Sequence, residues 1–262
     1  MNINEPDQRR KILILYFSGT GATKKVAQIM HMQLSQRYTV SISSIEDDAG
    51  LDINDYDALI VGTPVYHAAP PRIVTSYFEH IRPLVKALPA LIYNTRGLCA
   101  LNTNRILAKQ LYKKKIVTIM DTAYRSPASD GSLIAPRIKR FFEFEPGLNR
   151  KVTKDCKAFV KLLQSGSLRV YIPRFQIGSL INAPNKLAGQ LIRLKIHLHR
   201  GRCTKCGKCT ANCPMGALSK DFSGWPVVAK NECINCYRCI HRCPCLALSL
   251  SKRKPTDRVL RY

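Results

Sequence analysis

Short apolar runs alternate with amphipathic segments through most of the first 165 residues. Residues 11–17 are apolar on both faces, as expected for a buried strand of a parallel sheet. Similar runs predict four further strands, at 39–43, 58–63, 90–93 and 116–120. Five strands separated by helical segments indicate a doubly wound α/β sheet. In such sheets a ligand binds beyond the carboxyl ends of the strands, at the switch point beside the first strand.

Apolar positions at helical spacing fill the gaps between these strands. The first helix follows residue 23, with apolar side chains three and four positions apart at Val26, Ile29, Met30 and Leu34. The same periodicity predicts helices over four further ranges: 72–80, 101–111, 133–142 and 151–163. A polar stretch, Gln164-Ser165-Gly166-Ser167, then indicates a boundary, so residues 1–165 are predicted to form one α/β domain.

A different pattern begins near residue 200. Cysteines recur with the spacing Cys-x2-Cys-x2-Cys-x3-Cys-Pro, and the same run returns thirty positions later. Thiolates are the soft ligands that iron–sulfur clusters need, and two-residue gaps let three sulfurs of one tight loop converge on one cluster. The spacing predicts two [4Fe–4S] clusters with eight metal ligands: Cys203, Cys206, Cys209, Cys213, Cys233, Cys236, Cys239 and Cys243.

In tandem runs of this kind the fourth cysteine ligates the other cluster. We therefore assign one cluster to Cys203, Cys206, Cys209 and Cys243, and the other to Cys233, Cys236, Cys239 and Cys213. Structural zinc sites would need only pairs of Cys-x2-Cys, and the additional cysteines, each followed by proline, argue against zinc. Three cysteines lie outside the pattern and are expected not to be ligands: Cys99, Cys156 and Cys245.

A loop rich in glycine and hydroxyl groups directly follows the first strand and precedes the first helix: Ser18-Gly19-Thr20-Gly21-Ala22-Thr23. Backbone N–H groups converge at a helix N-terminus, and the helix dipole favours negative charge there, so the loop is a candidate anion site. The loop lacks the third glycine of the dinucleotide fingerprint and does not fit the Walker pattern GxxxxGK[ST].

This loop and two others resemble the loops of flavodoxins. Residues 18–23 are similar to the flavodoxin phosphate loop, residues 62–67 look like the loop whose aromatic side chain covers the isoalloxazine ring, and residues 94–98 follow the fourth strand where flavodoxins wrap the pyrimidine edge. The resemblance implies a flavodoxin-like five-stranded parallel sheet in the order 2-1-3-4-5. It also implies FMN binding by Ser18, Gly19, Thr20, Gly21, Ala22, Thr23, Thr63, Pro64, Val65, Tyr66, Thr95, Arg96 and Gly97.

The aromatic residues of these loops depart in part from the flavodoxin pattern. Tyr66 is the candidate for stacking on the flavin ring, because an electron-rich phenol face suits the electron-poor ring. Arg96 stands in the region where flavodoxins place a second aromatic residue, and Tyr124 is the nearest replacement. Arg96 either raises the flavin potential as a cation near the reduced ring or pairs with a surface carboxylate.

Residues 166–200 are predicted to form a basic helical connector. Four leucines repeat at helical spacing with lysine and arginine between them: Leu187, Leu191, Leu194 and Leu198. Such a helix over 185–200 either packs between two domains or lies on an anionic membrane surface. Residues 201–262 then form a third segment, a small α+β ferredoxin domain with both cysteine runs.

The charge is strongly positive and unevenly distributed. The net charge is +25, and residues 167–262 contain 18 basic residues but only three acidic ones: Asp221, Glu232 and Asp257. A positive face on a cluster-bearing domain favours an acidic redox protein as partner, because long-range attraction steers association. Basic residues with few aromatic ones among them, and no nucleic-acid module, predict that nucleic acid is not a partner.

The cysteine content bears on the compartment of the protein. The chain has eleven cysteines, and no secretory signal or stretch of eighteen apolar residues is evident in the sequence. Free thiols and oxygen-sensitive clusters therefore indicate a reducing cytoplasm.

The whole pattern resembles the flavodoxin–ferredoxin fusion proteins of anaerobic bacteria and archaea. The motifs are residues 18–23 and 62–66, both cysteine runs, and Trp225-Pro226-Val227 before the second run. The resemblance implies FMN and two [4Fe–4S] clusters, and the function expected from it is electron transfer between these cofactors and a protein partner. The alternative is an FMN-dependent reductase of a small substrate, with His67 and Tyr124 as candidate proton donors; whether the protein is an enzyme is left open.

Overall fold

The computed structural model describes residues 10–47, 51–166, 168–177, 195–229 and 231–260. Five strands of the N-terminal part form one parallel sheet in the order β2-β1-β3-β4-β5, as the sequence predicts. Their bounds are β1 Lys11–Tyr16, β2 Thr39–Ser44, β3 Ala58–Pro64, β4 Leu88–Arg96 and β5 Ile116–Arg125. The order reverses between β1 and β3, so the switch point lies at the carboxyl end of β1.

Helices cover both faces of this sheet. On one face lie α1 (Ala22–Leu34) and α5 (Leu148–Gln164), and on the other lie α2 (Arg72–His80) and α3 (Thr103–Tyr112). A short helix, α4 (Gly131–Ile134), lies in the connection between β5 and α5.

Strand β1 shows why a central strand must be apolar throughout. Ile12 and Ile14 belong to the core cluster with α1 and α5, whereas Leu13 and Leu15 belong to the cluster with α2 and α3. All four side chains are at most 1 % exposed. Because successive residues of a strand point to opposite faces, and both faces are covered by helices, no position in this run can be polar.

The helix predicted over 133–142 is wrong. The structure has α4 (Gly131–Ile134), then an irregular turn, then a single 3₁₀ turn at Lys139–Phe141. Pro136 lies inside the predicted range, lacks a backbone N–H, and disfavours helical torsions in the residue before it. Ala135 accordingly leaves the helical region, with φ −129° and ψ 67°.

The C-terminal part is built from short elements around its own small core. Strand β6 (His197–Leu198) pairs antiparallel with β9 (Leu248–Ser249), and β7 (Leu218–Lys220) pairs antiparallel with β8 (Pro226–Val228). Two one-turn helices follow equivalent cysteines: α6 (Lys208–Ala211) and α7 (Arg238–His241).

The predicted connector helix is contradicted at its end. Within 185–200 the structure describes only residues 195–200, and His197–Leu198 is a strand there rather than part of a helix. The first part of the connector, residues 168–177, has no helix, and Tyr171 donates its backbone N–H to Thr118 O of β5 at 2.9 Å. The rest of the predicted helix lies outside the described residues. Among the helices that the structure does describe, none has the length and hydropathy needed to cross a membrane.

Candidate functional site

The two cysteine runs follow the same backbone path. Three pairs of equivalent residues have left-handed torsions: Lys205 and Asn235 (φ 54° and 55°), Gly207 and Tyr237 (75° and 55°), and Gly216 and Leu246 (61° and 49°). Left-handed torsions are unfavourable for side chains such as those of Tyr237 and Leu246, and persist only where the surrounding structure imposes them. The repeated turns wind each run tightly, which is the loop form that three ligands of one cluster need.

Backbone N–H groups donate to four cysteine sulfurs in matching pairs. The distances from N to Sγ are 3.4 Å for Cys203 and Cys233, and 3.2 Å for Cys213 and Cys243. Hydrogen bonds to sulfur favour the thiolate, and around a cluster they tune its reduction potential. Each run therefore holds its first and last sulfur in place with a backbone N–H group.

The eight cysteines lie in two groups of four. Cys203, Cys206, Cys209 and Cys243 line one small cavity of about 20 Å³. In the other group, burial raises the pKa of Cys236 to about 12, and the nearby sulfurs of Cys233 and Cys213 contribute to the rise. Burial, followed by the sulfurs of Cys236 and Cys233, likewise raises the pKa of Cys239 well above its usual value. These are the two sets of the crossed assignment, and their role as ligands stays a prediction.

The donor sets fit iron–sulfur cubes better than single ions. No three His, Cys, Asp or Glu side chains of the described ranges lie close enough together to hold one metal ion. Ligands of a four-iron cube stand farther apart than ligands of one ion, because each binds a different corner. Two sets of four thiols, wound in tight loops, supply the number of ligands that two such cubes need.

The two groups differ in exposure. Cys206 is exposed, and the backbone N–H of Lys208 lowers the pKa of its thiol. Cys236 and Cys239 are only 7 % and 6 % exposed. The first group therefore has one cysteine at the surface and the second has two in the interior, while the other five are half-buried.

The loop at residues 18–23 has the local structure of an anion site. The Ser18 hydroxyl accepts hydrogen bonds from the N–H groups of Gly21 (3.1 Å) and Lys24 (3.2 Å), which holds the loop against the first turn of α1. Thr23 Oγ1 lies 2.7 Å from Thr95 Oγ1, at the end of β4. The first N–H groups of a helix have no partner within the helix. Ser18 takes that of Lys24, so those of Ala22 and Thr23 are the ones left for a phosphate.

Two cavities meet beside this loop. A polar cavity of about 40 Å³ is lined by residues 18–20, 22 and 23, by the end of β3 and β4, and by residues 126–130. A larger one of about 520 Å³, mostly apolar, lies next to it. The two share four lining residues: Val65, Gly97, Ala128 and Asp130. A small polar site joined to a larger apolar one fits a molecule with a phosphate at one end and a flat ring at the other, so the residues present fit FMN.

Most of the predicted FMN residues meet at these cavities. Ten of them line the polar cavity: Ser18, Gly19, Thr20, Ala22, Thr23, Pro64, Val65, Tyr66, Thr95 and Gly97. Gly21, Thr63 and Arg96, although the structure describes them, line neither cavity. Their role in FMN binding stays a prediction.

The sequence interpretation missed the loop that follows β5. Residues 126–130 line the polar cavity, and Ala128 and Asp130 also line the apolar one. The signal was available, since the carboxyl end of a fifth parallel strand must reach the same edge of the sheet as the other site loops. The loop, Ser-Pro-Ala-Ser-Asp, carries no pattern that marks it locally as a ligand site.

Tyr66 lies between the anion loop and the buried cysteines. A Cβ on Gly19 would overlap the Tyr66 hydroxyl and would lie 3.2 Å from Cys236 Cβ. Burial raises the pKa of Tyr66 well above its usual value, and the nearby sulfur of Cys236 adds to the rise. Tyr66 lines the polar cavity but is not among the described residues around the larger apolar one. Its role as the residue that stacks on the flavin stays a prediction.

Arg96 and Tyr124, the two other candidates for a place beside the flavin ring, do not line the apolar cavity. The Arg96 side chain folds back and donates to the carbonyl of Leu98 in its own loop, and no carboxylate within the described ranges pairs with it. Tyr124 is wrong as a second stacking residue and as a proton donor, because it is fully buried in the core and donates to Asp155 at 2.7 Å. His67, in contrast, is exposed and lines the apolar cavity.

Comparison with known families agrees with this division. Residues 13–136 match a family described as a flavodoxin domain, and residues 195–244 match one described as a 4Fe-4S dicluster domain. The chain therefore combines a part similar to flavodoxin domains, the flavodoxin domain, with a part similar to 4Fe–4S dicluster domains, the dicluster domain. None of the curated proteins matches the sequence.

Solved flavodoxins are similar to the flavodoxin domain at low identity. A flavodoxin from the domain Archaea is 12 % identical over 59 % of this chain and 99 % of its own, with a TM-score of 0.44. The flavodoxin of Megasphaera elsdenii is 18 % identical over 55 % of this chain and 98 % of its own, with a TM-score of 0.40. Flavodoxin 2 of Bacillus cereus is 17 % identical over 58 % and 99 %, with a TM-score of 0.44.

One arginine of the dicluster domain binds directly to the flavodoxin domain. Arg238, between two buried cysteines, donates to the carbonyls of Ser18 and Gly19 at 2.9 Å each. Its two terminal nitrogens also bond to the two carboxylate oxygens of Glu46 at 2.6 Å. The Arg238 side chain is 8 % exposed and that of Glu46 is 22 % exposed. Bonds to the carbonyl side of residues 18 and 19 fix the orientation of the peptides that begin the anion loop.

Two further contacts hold the domains together. His241 Nδ1 accepts from the N–H of Leu260 at 3.1 Å, so the ring is neutral and its Nε2 donates to the carbonyl of Ser129 at 2.8 Å. Burial lowers the pKa of His241, in keeping with the neutral ring. Arg72 and Glu232 form an exposed ion pair at 2.6 Å. The interface therefore meets both the anion loop and the loop that the sequence interpretation missed.

Proposed function

We propose that this protein transfers electrons between FMN in the flavodoxin domain and two [4Fe–4S] clusters in the dicluster domain, and exchanges them with an acidic redox protein. Bound FMN exchanges one or two electrons, whereas each cluster carries one. The protein contributes position: it would hold the three sites in one order and bury two ligands of the inner cluster, Cys236 and Cys239.

The observation that carries this proposal is the contact between the buried cysteine loop and the anion loop. Cys236 Cβ lies 3.2 Å from the place where a Cβ of Gly19 would stand, and Arg238 bonds both Ser18 and Gly19. A cluster on Cys233, Cys236, Cys239 and Cys213 would therefore sit next to the flavin site. A cluster on the exposed group would sit farther out, with its ligand Cys206 at the surface.

The exposed position of Cys206 thus supports entry of electrons at the outer cluster. The buried positions of Cys236 and Cys239 support transfer of electrons from the inner cluster to the flavin. The dicluster domain is the more basic part of the chain for its size, with 12 basic and three acidic residues in 201–262 against 24 and 14 in 1–165. Long-range attraction would draw an acidic carrier to that excess of positive charge.

The test is cofactor content after anaerobic purification, with paired cysteine variants. About eight irons, eight sulfides and one FMN per chain are required by two cubes and one flavin. Cys243→Ser should lose or degrade the outer cluster alone and leave about four intact irons. Cys245→Ser is the matched control, because Cys245 lines the same cavity, two residues away, but is not an assigned ligand.

Each possible result tests a different part of the proposal: the ligands of the outer cluster, the flavin, or the iron–sulfur clusters themselves. If Cys245→Ser loses iron and Cys243→Ser does not, the ligand set of the outer cluster is wrong. Eight irons without FMN would overturn the flavin part of the proposal. Zinc in place of iron and sulfide would overturn the electron-transfer function altogether.

The second candidate function is an FMN-dependent reductase of a small substrate. The observation that favours it is the apolar cavity of about 520 Å³, which His67 lines from an exposed turn. His67 and Ala68 both have left-handed torsions there (φ 49° and 62°), in a two-residue turn closed by hydrogen bonds between Tyr66 and Ala69. Sustained turnover of a small acceptor with no carrier protein, lost in His67→Gln, would favour the reductase over the carrier.

A further inference from the structure

The outer cysteine cavity lies in a strongly basic surface. Besides five cysteines, three lysines line it: Lys205, Lys208 and Lys220. The Lys220 ammonium lies close over the cysteine loop, because a Cβ on Gly207 would stand 3.0 Å from Lys220 Nζ. Of the residues that the structure describes around this cavity, none is acidic. A cluster bound there would be surrounded by positive charge.

An exposed phenylalanine stands beside these lysines. Phe222 lies at the tip of the β7–β8 hairpin and is fully exposed, and Val227 on β8 is 48 % exposed. The core of the dicluster domain does not use Phe222. A large aromatic side chain in full contact with water gains nothing for folding, and aromatic residues of this kind often anchor protein interfaces.

The hairpin tip is held rigidly. The Asp221 carboxylate accepts from the N–H groups of Ser223 (2.9 Å) and Trp225 (2.8 Å). Asp221 and Trp225 also bond through their backbones at 2.9 Å. Asp221, the only acidic side chain at the tip, therefore closes the turn through these hydrogen bonds. The backbone of Phe222 is held in one position.

The same hairpin is fastened to the cysteine loop. Lys205 donates to the carbonyl of Ser223 at 2.7 Å, and its ammonium lies 4.4 Å from the centre of the Trp225 ring. Arg200 lies over the same ring at 5.4 Å. Cation–π contacts and a hydrogen bond thus join the hairpin to the loop of Cys203 and Cys206. Phe222, the lysines and the exposed Cys206 form one preorganised surface.

We propose that this surface, defined by Lys208, Lys220, Phe222 and Cys206, is the docking face for an acidic one-electron carrier protein. The inference rests on the proposed function. Cys203, Cys206, Cys209 and Cys243 would hold the outer cluster, which would accept one electron from the reduced metal centre of the carrier with no proton or bond change. The lysines attract the acidic carrier and Phe222 anchors it.

A carrier protein fits this face better than other polyanions. Lipid and nucleic acid would match its charge, but neither donates electrons to a cluster, and the face surrounds the exposed ligand of that cluster. The face also has one aromatic anchor on a hydrogen-bonded turn, as in protein interfaces whose affinity comes from a few central residues. Preorganisation lowers the entropic cost of binding.

The probe is an acidic plant-type [2Fe–2S] ferredoxin, and basic cytochrome c is the charge control. Binding is measured by calorimetry with both proteins oxidised, so that no electron moves, and electron transfer is then measured by anaerobic stopped flow from the reduced ferredoxin. We expect the wild type to bind the ferredoxin and not the cytochrome, with affinity and rate falling steeply as salt is raised above 0.1 M.

Two sets of variants test the charge and the aromatic side chain of the face separately. The charge reversal Lys208→Glu with Lys220→Glu should reduce both affinity and rate by about tenfold or more, because steering raises association rates by 10 to 10³. Its control is Lys154→Glu with Lys157→Glu on α5, which changes the net charge equally on the flavodoxin domain and should leave the affinity within about twofold of the wild type.

Phe222→Ser should weaken binding about tenfold without changing the salt dependence, since it removes a hot-spot contact and no charge. Val85→Ser is its control, because Val85 is 84 % exposed and lies in the flavodoxin domain.

The outcomes are distinguishable from failure of the proposed function. Reduction of the clusters by the small reagent propyl viologen sulfonate should proceed in all variants. If the wild type is not reduced even by that reagent, the electron-transfer function itself fails. If it is reduced but both charge reversals weaken ferredoxin binding equally, or if Phe222→Ser has no effect, the docking face is wrong. Selective binding of phosphatidylglycerol vesicles or duplex DNA to the face, without ferredoxin binding, would also overturn it.

Discussion

Replacing Arg238 with methionine removes the guanidinium that connects the dicluster domain to the anion loop. The side chain makes two hydrogen bonds to carbonyls at 2.9 Å and a two-pronged ion pair with Glu46 at 2.6 Å. Methionine has a similar length and is apolar, so the change removes the charge and the donors with little loss of volume. We expect the contact between the domains to open far more often.

The magnitude follows from burial. Removing one partner of a buried ion pair costs about 3–5 kcal/mol, because the other partner is left without compensation. Glu46 is 22 % exposed and can recover part of its hydration, so the lower end of that range applies. A loss of about 3 kcal/mol corresponds to a roughly hundredfold larger population of the undocked state.

Hydrogen exchange of the intact holoprotein measures this population directly. The peptide around residues 17–24 contains amides that bond within the anion loop and to β3, including Phe17 N to Gly62 O at 3.0 Å. These amides should exchange much faster in Arg238→Met, and FMN should bind more weakly, because the loop loses its fixed orientation.

Matched variants guard against a general loss of stability. Arg242→Met is the control, since Arg242 lies in the same cysteine run but is exposed, and its side chain bonds only to Asn212 Oδ1 among the described residues. Arg238→Lys keeps the positive charge but cannot bond both carboxylate oxygens of Glu46 at once, so its amide exchange should lie between that of the wild type and that of Arg238→Met. In a double-mutant cycle with Glu46→Gln, the coupling should exceed about 1 kcal/mol. If the amides of residues 17–24 exchange equally fast in Arg238→Met and in Arg242→Met, Arg238 does not hold the anion loop in place.

Three smaller changes test other parts of the structure. Tyr124→Phe removes a hydrogen bond to Asp155 and should cost about 1 kcal/mol in a thermal scan, with FMN affinity unchanged; weaker FMN binding would contradict its place in the core. Gly62→Ala puts a Cβ into the ring of buried Tyr93 and should cost about 1–3 kcal/mol, whereas unchanged stability would mean that the ring can move. Thr23→Val removes a buried hydroxyl from the anion loop and should weaken FMN binding about tenfold in a titration of flavin-free protein, and unchanged affinity would exclude that hydroxyl from the phosphate site.

The strands and most helices of the flavodoxin domain followed from local patterns. A strand covered on both faces must be apolar throughout, and a helix covered on one face must show a period near 3.6, so both leave a mark in the sequence. The helix at Arg72–His80 has the predicted bounds, and the sheet order matches the resemblance to flavodoxins. The prediction over 133–142 failed because its periodicity was given more weight than Pro136.

Tyr124 shows what a pattern within one strand cannot reveal. The pairing of β4 with β5 shifts by one residue between Ala90 and Leu91, so β5 contains an extra residue. Ile116, before the shift, packs on the side of α2 and α3, whereas Tyr124, after it, packs on the side of α1 and α5. An extra residue turns all later side chains to the opposite face. The sequence of β5 alone does not mark the shift, because both faces of the strand are covered.

The sequence by itself determined the chemistry of each site, and the tertiary structure decided how the sites are joined. Cysteine spacing and the glycine and hydroxyl groups after the first strand act within short loops, where the order of residues largely dictates which atoms converge. The bonds of Arg238 to Ser18 and Gly19 span 220 and 219 residues of chain. The apposition of Cys236 with Gly19 depends on the same docking of the two domains. Contacts of that range depend on how two surfaces distant in the chain fit together, and no local pattern records that fit.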